Sequence, residues 1–352
     1  MTAGVPDVDV IIPVHSVGRP VRRAVASVFR GLERTDVRAS VICHGVAVEA
    51  IAAELDGIGG DRVRLLPCDA PFPSPALPVN MGISAATGTY VSRLDSDDEF
   101  EPGAVDAWMA VARARDAQIV IAPLRPAGGP VTKAPLTRPF RRGRLSPVSD
   151  RLSYRTAPFG LIRRDLGDAL GARYTEDLSS GEDLDYGLRL WFGADRIEFA
   201  ADAPAYLVHA DAADRTTGIA RSIAQLLEPS LRVVQSAWFE ERSSAERRAI
   251  AIKLVRVHVL AAVRQSSVRN DADASSAAQL IAVLDEKATG WQLPFSRSDA
   301  RVIEAIRHGN LADASRLVDQ GSRDDRLFAP TIAGTLHRES TLRRYLRYRL
   351  PR

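Results

Sequence analysis

The amino-acid sequence predicts an α/β domain with a mostly parallel sheet and flanking helices, followed by an all-α module. Two observations lead to this prediction. Short β-branched apolar runs alternate with stretches of helical period up to about His209, and helical period alone continues beyond about Thr217. Alternation of this kind is typical of a parallel sheet with helices on its faces. We therefore expect two domains, residues 1–217 and residues 218–352.

The order of the elements follows from these patterns. The strands are expected at residues 8–14, 37–43, 62–66, 89–94, 118–122, 197–200 and 205–209. The helices are expected at residues 19–32, 46–55, 79–88 with a glycine cap, 102–115, and one that opens within 179–192 with Ser180 as N-cap. Residues 67–78 are rich in proline and are expected to form an extended loop. Residues 123–149 are rich in proline, glycine and arginine and are expected to form a basic loop that is mobile or partly ordered.

Composition limits the class of protein. The chain has 352 residues, of which 45% are hydrophobic, so it can bury a sizeable core. Its formal net charge of +3, carried mainly by arginine, is too small to indicate a nucleic-acid partner. Cys43 and Cys68 lack metal-ligand spacing, and we expect reduced thiols in a cytoplasmic protein. With no signal-peptide pattern and no apolar run of about 18 residues, we expect neither export nor a membrane span.

An acidic cluster follows the strand expected at residues 89–94. It comprises Asp95, Asp97, Asp98 and Glu99. Carboxylates gathered at the end of a strand repel one another unless a cation lies between them, and oxygen ligands suit Mg²⁺ or Mn²⁺ that clamps a diphosphate. A solvated acidic turn, the cap of the helix that begins near Pro102, and a calcium loop are the alternatives.

Four segments in order resemble the family-2, GT-A type inverting glycosyltransferases over roughly residues 8–215. They are residues 10–15, residues 80–90, Leu94-Asp95-Ser96-Asp97-Asp98, which is similar to the DxD-type motif, and Gly181-Glu182-Asp183-Leu184-Asp185, which is similar to the Glu-Asp motif. The resemblance implies a GT-A, Rossmann-like sheet, a nucleotide-sugar donor and inversion at the anomeric carbon.

The resemblance also implies roles for single residues. Asp97 is expected to bind the metal, Asp95 to lie nearer the ribose, and Asp98 to steady the site. Asp183 matches the general base, because a carboxylate that removes the acceptor proton is what a one-step displacement needs. Glu182 is expected to contact the donor or acceptor sugar, or only to compensate charge at the helix N-terminus.

Other expected donor contacts lie around this core. Pro13 and His15 are expected in the nucleotide pocket, and Asn80 opens a matching segment. His209 is expected to bind metal or phosphate, or to be a strand-end histidine bonded to backbone. Arg215 is expected to hold phosphate oxygens. Arg93 is expected either to replace the arginine that the family often has before the asparagine, where this chain has Val79, or to balance the negative charge of the acidic cluster.

The sequence departs from the family pattern in three places. Cys43-His44-Gly45 stands where an aspartate often reads the base, Val79 stands where an arginine often precedes the asparagine, and no QxxRW-like segment is present. These departures leave the nucleotide open and argue against a processive, membrane-embedded synthase.

The helical module ends in a basic amphipathic segment. Leu342, Tyr345, Leu346 and Leu350 are expected on one face among arginines. Such a helix contacts an anionic membrane or polymer, or packs on its own domain or a second subunit.

Together these features predict a metal-dependent (Mn²⁺ or Mg²⁺), inverting, non-processive hexosyl- or N-acetylhexosaminyltransferase of the bacterial cytoplasm, located in the cytoplasm or peripherally at the inner face of the cell membrane. Its expected acceptor is a cell-envelope glycan, an anionic polymer or a lipid-linked glycan, and its helical module is expected to serve oligomerisation or acceptor and membrane association. A nucleotidyltransferase and a catalytically silent nucleotide-sugar binding protein remain as alternatives.

Overall fold

The computed structural model describes residues 6–69, 74–211, 220–265, 270, 272–318 and 320–350. These residues divide into an α/β unit, residues 6–147 and 155–211, and a helical unit, residues 148–154 and 220–350. The domain boundary predicted between residues 217 and 218 lies outside the described residues. The short segment 148–154 belongs to the helical unit although it precedes the end of the α/β unit.

A seven-stranded sheet forms the centre of the α/β unit. Its spatial order is β3-β2-β1-β4-β8-β6-β9. The strands are β1 (Val8–Val14), β2 (Val37–His44), β3 (Val63–Cys68), β4 (Tyr90–Arg93), β6 (Ile119–Ile121), β8 (Gly160–Arg163) and β9 (Ile197–Phe199). Neighbouring strands run parallel except β8, which is antiparallel to both β4 and β6. The predicted mostly parallel sheet is therefore confirmed.

A small second sheet lies beside the first. It has the order β5-β10-β7, from β5 (Glu99–Phe100), β7 (Leu124–Pro126) and β10 (Tyr206–Val208). Strand β10 is antiparallel to β5 and parallel to β7. Because β5 immediately follows the acidic cluster and β10 immediately precedes His209, this sheet brings two expected parts of the site together.

Six helices flank the strands of the α/β unit. They are α1 (Val21–Phe29), α2 (Val48–Glu54), α3 (Ala76–Ala85), α4 (Ala104–Arg115), α5 (Arg164–Ala169) and α6 (Leu184–Gly193). Their apolar faces cover the sheet, and Trp108 on α4 packs edge-on against Phe100 with ring centroids 4.9 Å apart. Fully buried side chains of β1, such as Val10 and Ile12, lie in the core.

A buried carboxylate fixes β1 relative to its neighbours. Asp9 is fully buried and accepts hydrogen bonds from Arg38 on β2, with Nε at 2.7 Å, and from the backbone N–H groups of Thr87 and Gly88 at 2.8 and 2.9 Å. A buried charge is tolerated only when it is paired and hydrogen-bonded in this way. The contacts hold the start of β4 against β1 and so help to set where the acidic cluster emerges.

Three local expectations were wrong. Helix α3 starts at Ala76, inside the segment expected to be an extended loop, because Pro78 lies in the first turn, where proline needs no backbone donor. Its C-cap is Ala86 in an extended conformation, so no glycine caps it. Ser180 is not the N-cap of α6, since the helix begins one turn later at Leu184 with Asp183 as N-cap, after Gly181 at φ +72°.

The helical unit contains ten α-helices among the residues that the structure describes. They are α7 (Ile223–Gln235), α8 (Ala237–Glu240), α9 (Ser244–Leu254), α10 (Leu260–Gln265), α11 (Ala272–Lys287), α12 (Arg297–Arg307), α13 (Leu311–Leu317), α14 (Arg323–Leu327), α15 (Ile332–Leu336) and α16 (Thr341–Arg349). A π-helical turn, Val255–Val259, joins α9 to α10. None of the helices in the described ranges has the length and apolar character needed to cross a bilayer.

The last helix, α16, packs on its own unit through arginine. Arg347 is 9% exposed, and the Arg344 guanidinium lies 4.0 Å from the ring centroid of Tyr154. Leu346 and Leu350 are 52% and 51% exposed. The packing on the chain's own domain, which was one of the sequence alternatives, thus applies to the arginine face, while part of the apolar face is turned outward.

Candidate active site

The candidate site lies at the carboxyl ends of β1 and β4. These strands are parallel and in register, with Ile11 opposite Arg93, so His15 and the acidic cluster leave the sheet at the same edge. The carboxyl edge of an open α/β sheet is where such folds bind their ligands. The acidic cluster forms the turn between β4 and β5.

Arg93 binds the first carboxylate of the cluster. Its Nε donates to Asp95 Oδ1 at 2.9 Å, and its guanidinium lies 5.2 Å from the ring centroid of Tyr174. Burial raises the pKa of Tyr174 to about 12, partly offset by Arg93, while the charges of Asp183 and Asp95 raise it further. Asp95 and Asp183, which are far apart in the chain, are therefore both within electrostatic reach of one tyrosine.

Glu182 and Asp183 lie on the turn that leads into α6. Burial raises the pKa of Glu182, and the neighbouring charge of Asp183 raises it further, whereas Arg93 lowers it. The Thr175 backbone N–H donates to the Glu182 carbonyl at 2.9 Å, and the Asp183 carbonyl accepts from Gly187 N–H at 2.9 Å. These bonds fix the turn between the segment that carries Tyr174 and helix α6.

Both carboxylate oxygens of Asp98 accept hydrogen bonds, one from Tyr206 in β10 and one from His209, which follows β10. The Tyr206 hydroxyl donates to Asp98 Oδ2 at 2.9 Å and accepts from the Asp95 N–H at 3.1 Å, and the His209 N–H donates to Asp98 Oδ1 at 2.8 Å. Burial raises the pKa of Asp98 to about 7, and the charge of Asp95 adds to this shift. Asp98 thus joins the acidic cluster to β10 and to His209, which follows it.

Two arginines near the start of α1 contact the middle of the cluster. Arg19 donates from Nη2 to Asp97 Oδ1 and from Nε to Ser96 Oγ, both at 3.1 Å. Arg23 donates to the Asp97 carbonyl and forms a salt bridge of 2.6 Å with Asp211. Asp97 is only 7% exposed. The cluster is therefore partly neutralised by arginines that the sequence interpretation did not assign to the site.

The imidazole of His209 lies against Glu99. His209 Nε2 is 3.1 Å from Glu99 Oε1, and Arg30 binds the other carboxylate oxygen of Glu99 at 2.8 Å. His209 thus follows β10, with its backbone N–H bonded to Asp98 and its ring bonded to a carboxylate and not to a backbone group.

The expected nucleotide-pocket residues lie at the carboxyl end of β1, beside the carboxyl end of β2. Pro13 is inside β1 opposite Ile42, and His15 follows the strand with its ring centroid 5.6 Å from that of His44. Burial lowers the pKa of His44 to about 4, helped by His15 and Arg19, so the imidazole is neutral at pH 7. The segment that departs from the family pattern therefore presents a neutral histidine at this end of the sheet.

Two further expected donor contacts have different outcomes. Asn80 on α3 donates to the Tyr174 carbonyl at 2.9 Å and to Glu176 Oε1 at 2.8 Å, and it accepts from the Tyr174 N–H at 2.8 Å. It therefore positions the backbone of Tyr174. Arg215 lies outside the described residues.

The donor set near Asp97 suits a cation that is completed by substrate. In the parts of the chain that the structure describes, no three His, Cys, Asp or Glu side chains converge as a metal site. Mg²⁺ ordinarily needs only one or two carboxylates, and it takes its remaining ligands from water and substrate phosphates. Asp97 by itself can meet that smaller requirement, although Arg19 shares its carboxylate and His209 Nε2 faces Glu99.

The contacts of Arg19, Arg23, Tyr174 and Tyr206 were not predicted. Arg19 and Arg23 are four residues apart at the start of a helix that follows β1, which is a signal that was available in the sequence. Tyr174 and Tyr206 had no comparable signal, because each meets the acidic cluster only through the tertiary fold.

Comparisons with known proteins agree with this arrangement. Residues 9–171 match the family model described as glycosyl transferase family 2. No curated protein matches the chain significantly. The crystal structure of S. aureus TarS 1–349 in complex with UDP-GlcNAc superposes with a TM-score of 0.73 at 12% identity, covering 89% of this chain and 90% of that one.

Two other TarS structures are similar. The UDP complex of TarS 1–349 has a TM-score of 0.69 at 13% identity, covering 89% of this chain and 90% of that one. The longer S. aureus TarS has a TM-score of 0.67 at 12% identity, covering 89% of this chain and 55% of that one. At such identities the likeness shows the fold alone, whereas the family model matches the residues that carry the acidic cluster. The chain therefore has the GT-A fold, and its residues 9–171 are similar to glycosyl transferase family 2.

Proposed function

We propose that the protein catalyses inverting, non-processive transfer of a sugar from a nucleoside-diphosphate donor to an acceptor hydroxyl. The observation that carries this proposal is the convergence of Asp95 and the Glu182–Asp183 turn on Arg93 and Tyr174. This arrangement would place the leaving group near Asp95 and keep Asp183 as a separate carboxylate nearby. A one-step displacement requires both a stabilised leaving group and a base for the acceptor hydroxyl.

In this mechanism Asp183 accepts the proton of the acceptor hydroxyl as its oxygen attacks C1 of the donor sugar. The bond between C1 and the diphosphate oxygen breaks as the new glycosidic bond forms on the opposite face, and the nucleoside diphosphate leaves. Arg93 keeps Asp95 oriented and limits the repulsion among Asp95, Glu182 and Asp183. Glu182, whose pKa is raised by burial, lies beside the base where a hydrogen bond to a sugar hydroxyl would orient the reactants.

A divalent cation, Mn²⁺ or Mg²⁺, would be held by Asp97 and His209. When bound, it would neutralise charge that develops on the departing diphosphate. Arg19, which already contacts Asp97, would also help to neutralise the negative charge of the departing diphosphate.

The donor and acceptor are proposed at the level of class. UDP-GlcNAc is the first donor to test, since it is bound by the structurally similar TarS 1–349, and an N-acetylhexosaminyl group would follow from it. Pro13, His15 and the neutral His44 would line the nucleotide pocket. The acceptor would be a hydroxyl of a cell-envelope glycan, an anionic polymer or a lipid-linked glycan in the bacterial cytoplasm, and the helical unit would serve oligomerisation or acceptor and membrane association.

Donor binding is tested by thermal unfolding with UDP-GlcNAc, with other nucleoside-diphosphate sugars, and with and without Mn²⁺. A donor at about 100 times its Kd should stabilise the chain by about 2.7 kcal/mol, because it binds only the folded state. Asp97→Asn should remove the part of this stabilisation that depends on Mn²⁺. No shift with any donor would contradict the proposal, whereas a shift without turnover on any acceptor would favour a silent binding protein.

A further inference from the structure

An exposed basic and aromatic turn projects from the α/β unit. We call it the basic turn and define it as Arg138, Pro139, Phe140, Arg141 and Arg142. The Arg141 N–H donates to the Arg138 carbonyl at 3.1 Å and closes the turn. Phe140 is 87% exposed and has φ +58°, a conformation that is an outlier for a bulky side chain. The backbone thus holds an aromatic ring in solvent between two arginines.

The basic turn is anchored to the edge of the sheet. The Phe199 N–H donates to the Arg142 carbonyl at 2.8 Å, and the Leu145 N–H donates to the Ile197 carbonyl at 2.9 Å, so the residues after the turn run along β9. Arg142 also forms a salt bridge with Asp202. Its position is therefore set by backbone hydrogen bonds to a strand of the main sheet.

Both ends of the segment that carries the basic turn lie at the same edge as the candidate active site. The segment begins after β7, where the Ala127 N–H donates to the Val208 carbonyl at 2.9 Å, one residue before His209. It returns beside Phe199, at the carboxyl end of β9, which is parallel to β6. Carboxyl ends of parallel strands share one edge of a sheet, so the basic turn borders the active-site side of the unit.

The charged side chains of residues 123–149 are all positive. Residues 123–149 contain no aspartate or glutamate, and they carry Arg125, Lys133, Arg138, Arg141, Arg142 and Arg144. Glu101 binds Arg125, and Asp202 binds Arg142. Arg141 is exposed, and among the residues that the structure describes its guanidinium has no hydrogen-bond or ion-pair partner. The turn therefore offers cationic donors next to a flat apolar ring.

We propose that the basic turn is an acceptor-binding element that recognises a phosphate-bearing glycan. A phosphate diester of the acceptor would contact the Arg141 guanidinium, which binds phosphate through paired N–H groups, and a sugar ring of the acceptor would pack on Phe140. The proposal rests on the proposed glycosyl transfer, and it selects a phosphate-bearing glycan from the acceptor classes named there.

Binding of the full chain to immobilised phosphomannan, with neutral mannan as the matched surface, tests the proposal. The variants are Arg141→Ala, Phe140→Ala and Arg115→Ala. Arg115 is likewise an exposed arginine. It lies at the carboxyl end of α4, where the chain approaches the start of β6 at the opposite edge of the sheet, so its loss removes the same charge from a different place.

We expect wild-type protein to bind phosphomannan more tightly than mannan, and the difference to shrink in about 0.5 M NaCl, which screens exposed charges. Arg141→Ala should weaken binding about tenfold and Phe140→Ala several-fold, while Arg115→Ala changes it less than about twofold. Unchanged thermal unfolding of each variant would show that folding is intact, as expected for exposed positions.

Equal weakening by Arg115→Ala would overturn the proposal, because it would show diffuse charge attraction alone. Equal affinity for mannan and phosphomannan, or no effect of Arg141→Ala and Phe140→Ala, would also overturn it. The donor shift measured on the wild-type chain is independent of these results, so its absence would count against the glycosyltransferase activity and leave the phosphoglycan contact to be judged separately.

Discussion

At the scale of the residue, the candidate base is distinguished by where its backbone lies. Asp183 is the N-cap of α6, yet its side chain does not cap that helix. A carboxylate at this position gains from the positive end of the helix dipole. It also lies within electrostatic reach of Tyr174, together with Asp95. Asp183 thus stands at the start of a helix and within electrostatic reach of the same tyrosine as Asp95.

The first prediction concerns Asp183. Asp183→Asn should lower kcat by about 10²- to 10⁴-fold, since a carboxamide cannot accept the acceptor proton, while donor KM stays within about twofold. Steady-state turnover with a competent acceptor measures both constants. Asp185→Asn is the matched control, because Asp185 forms a 2.6 Å helical ion pair with Arg189 and has no proposed catalytic role. A variant Asp183→Asn with more than a tenth of wild-type kcat would exclude Asp183 as the base.

Single residues differ in how well the sequence could place them. Asp95, Asp97, Asp98 and Asp183 stand in short motifs; the first three share the turn after β4, and Asp183 lies within electrostatic reach of Tyr174 together with Asp95. Asn80 was assigned to the donor site, but its amide bonds the backbone of Tyr174. A motif indicates which residue type is present at a position but not which residue it contacts in the fold. The contact between Asn80 and the backbone of Tyr174 therefore could not be predicted from the sequence.

At the scale of the element, α6 depends on one close backbone approach. Its buried face includes Tyr186, Leu188 and Trp191, and the Trp191 Nε1–H donates to the Arg155 carbonyl at 2.8 Å. A Cβ at Gly187 would lie 1.8 Å from the Thr156 carbonyl oxygen. Glycine therefore lets the helix that begins at Asp183 pack directly on the backbone of residues 155–157.

The second prediction tests this contact. Gly187→Ala should destabilise the chain by about 3 kcal/mol, because the methyl group can be accommodated only by moving backbone, and should lower the Tm by about 6 °C or more. Gly167→Ala in α5 is the matched control, since a Cβ there meets nothing within 4 Å and alanine favours a helix. Thermal unfolding of both variants measures the difference. An unchanged Tm for Gly187→Ala would mean that α6 does not rely on this approach.

The length of an element did not by itself decide whether it was predictable. Strand β1 was predicted with the bounds that the structure has, because a run of β-branched residues has an unmistakable pattern. The three-residue strands β6, β9 and β10 were also predicted, within residues 118–122, 197–200 and 205–209, whereas β5 and β7, with two and three residues, were not. The antiparallel insertion of β8 between β4 and β6 also had no signal, since the direction of a strand depends on how the chain returns to the sheet.

At the scale of the whole molecule, each unit contains a histidine that is neutral when folded. Burial lowers the pKa of His44 to about 4, and the charges of His15 and Arg19 add to this. Burial lowers the pKa of His258 well below its usual value, with Lys253, whose Nζ is 2.6 Å from Nε2, as a second cause. Below about pH 6.5, both histidines are therefore protonated in the unfolded chain while they remain neutral in the folded chain.

The third prediction follows from this difference. For a lowered histidine pKa, the unfolded state binds more protons below about pH 6.5, so stability falls as pH decreases, by up to about 1.4 kcal/mol per pH unit for each histidine, until the folded-state pKa is reached. Asp98, whose folded-state pKa is raised to about 7, has the opposite effect on stability over the same range, so the prediction concerns the difference between wild type and variant. Thermal unfolding between pH 7.5 and 5.0 should show that His44→Gln and His258→Gln each lose less stability than wild type as the pH falls. A pH dependence in both variants equal to that of wild type would contradict the prediction.

The separation into an α/β unit and a helical unit was expected from the change of period, but the membership of residues 148–154 was not. Within the helical unit, Arg151 Nε lies 2.7 Å from Glu339 Oε1, and Arg256 donates to the Tyr154 hydroxyl at 2.8 Å. These partners are about 100 or more positions apart in sequence. No local pattern could have assigned the segment to the helical unit.

That segment constrains how such enzymes can be recombined. Because residues 148–154 leave the α/β unit and return to it, the polypeptide passes between the units three times. A chimaera that replaced only the residues after 211 would leave Arg151 and Tyr154 facing a foreign module without Glu339 and Arg256. An exchange of the helical unit between related chains would therefore have to carry the short internal segment with it.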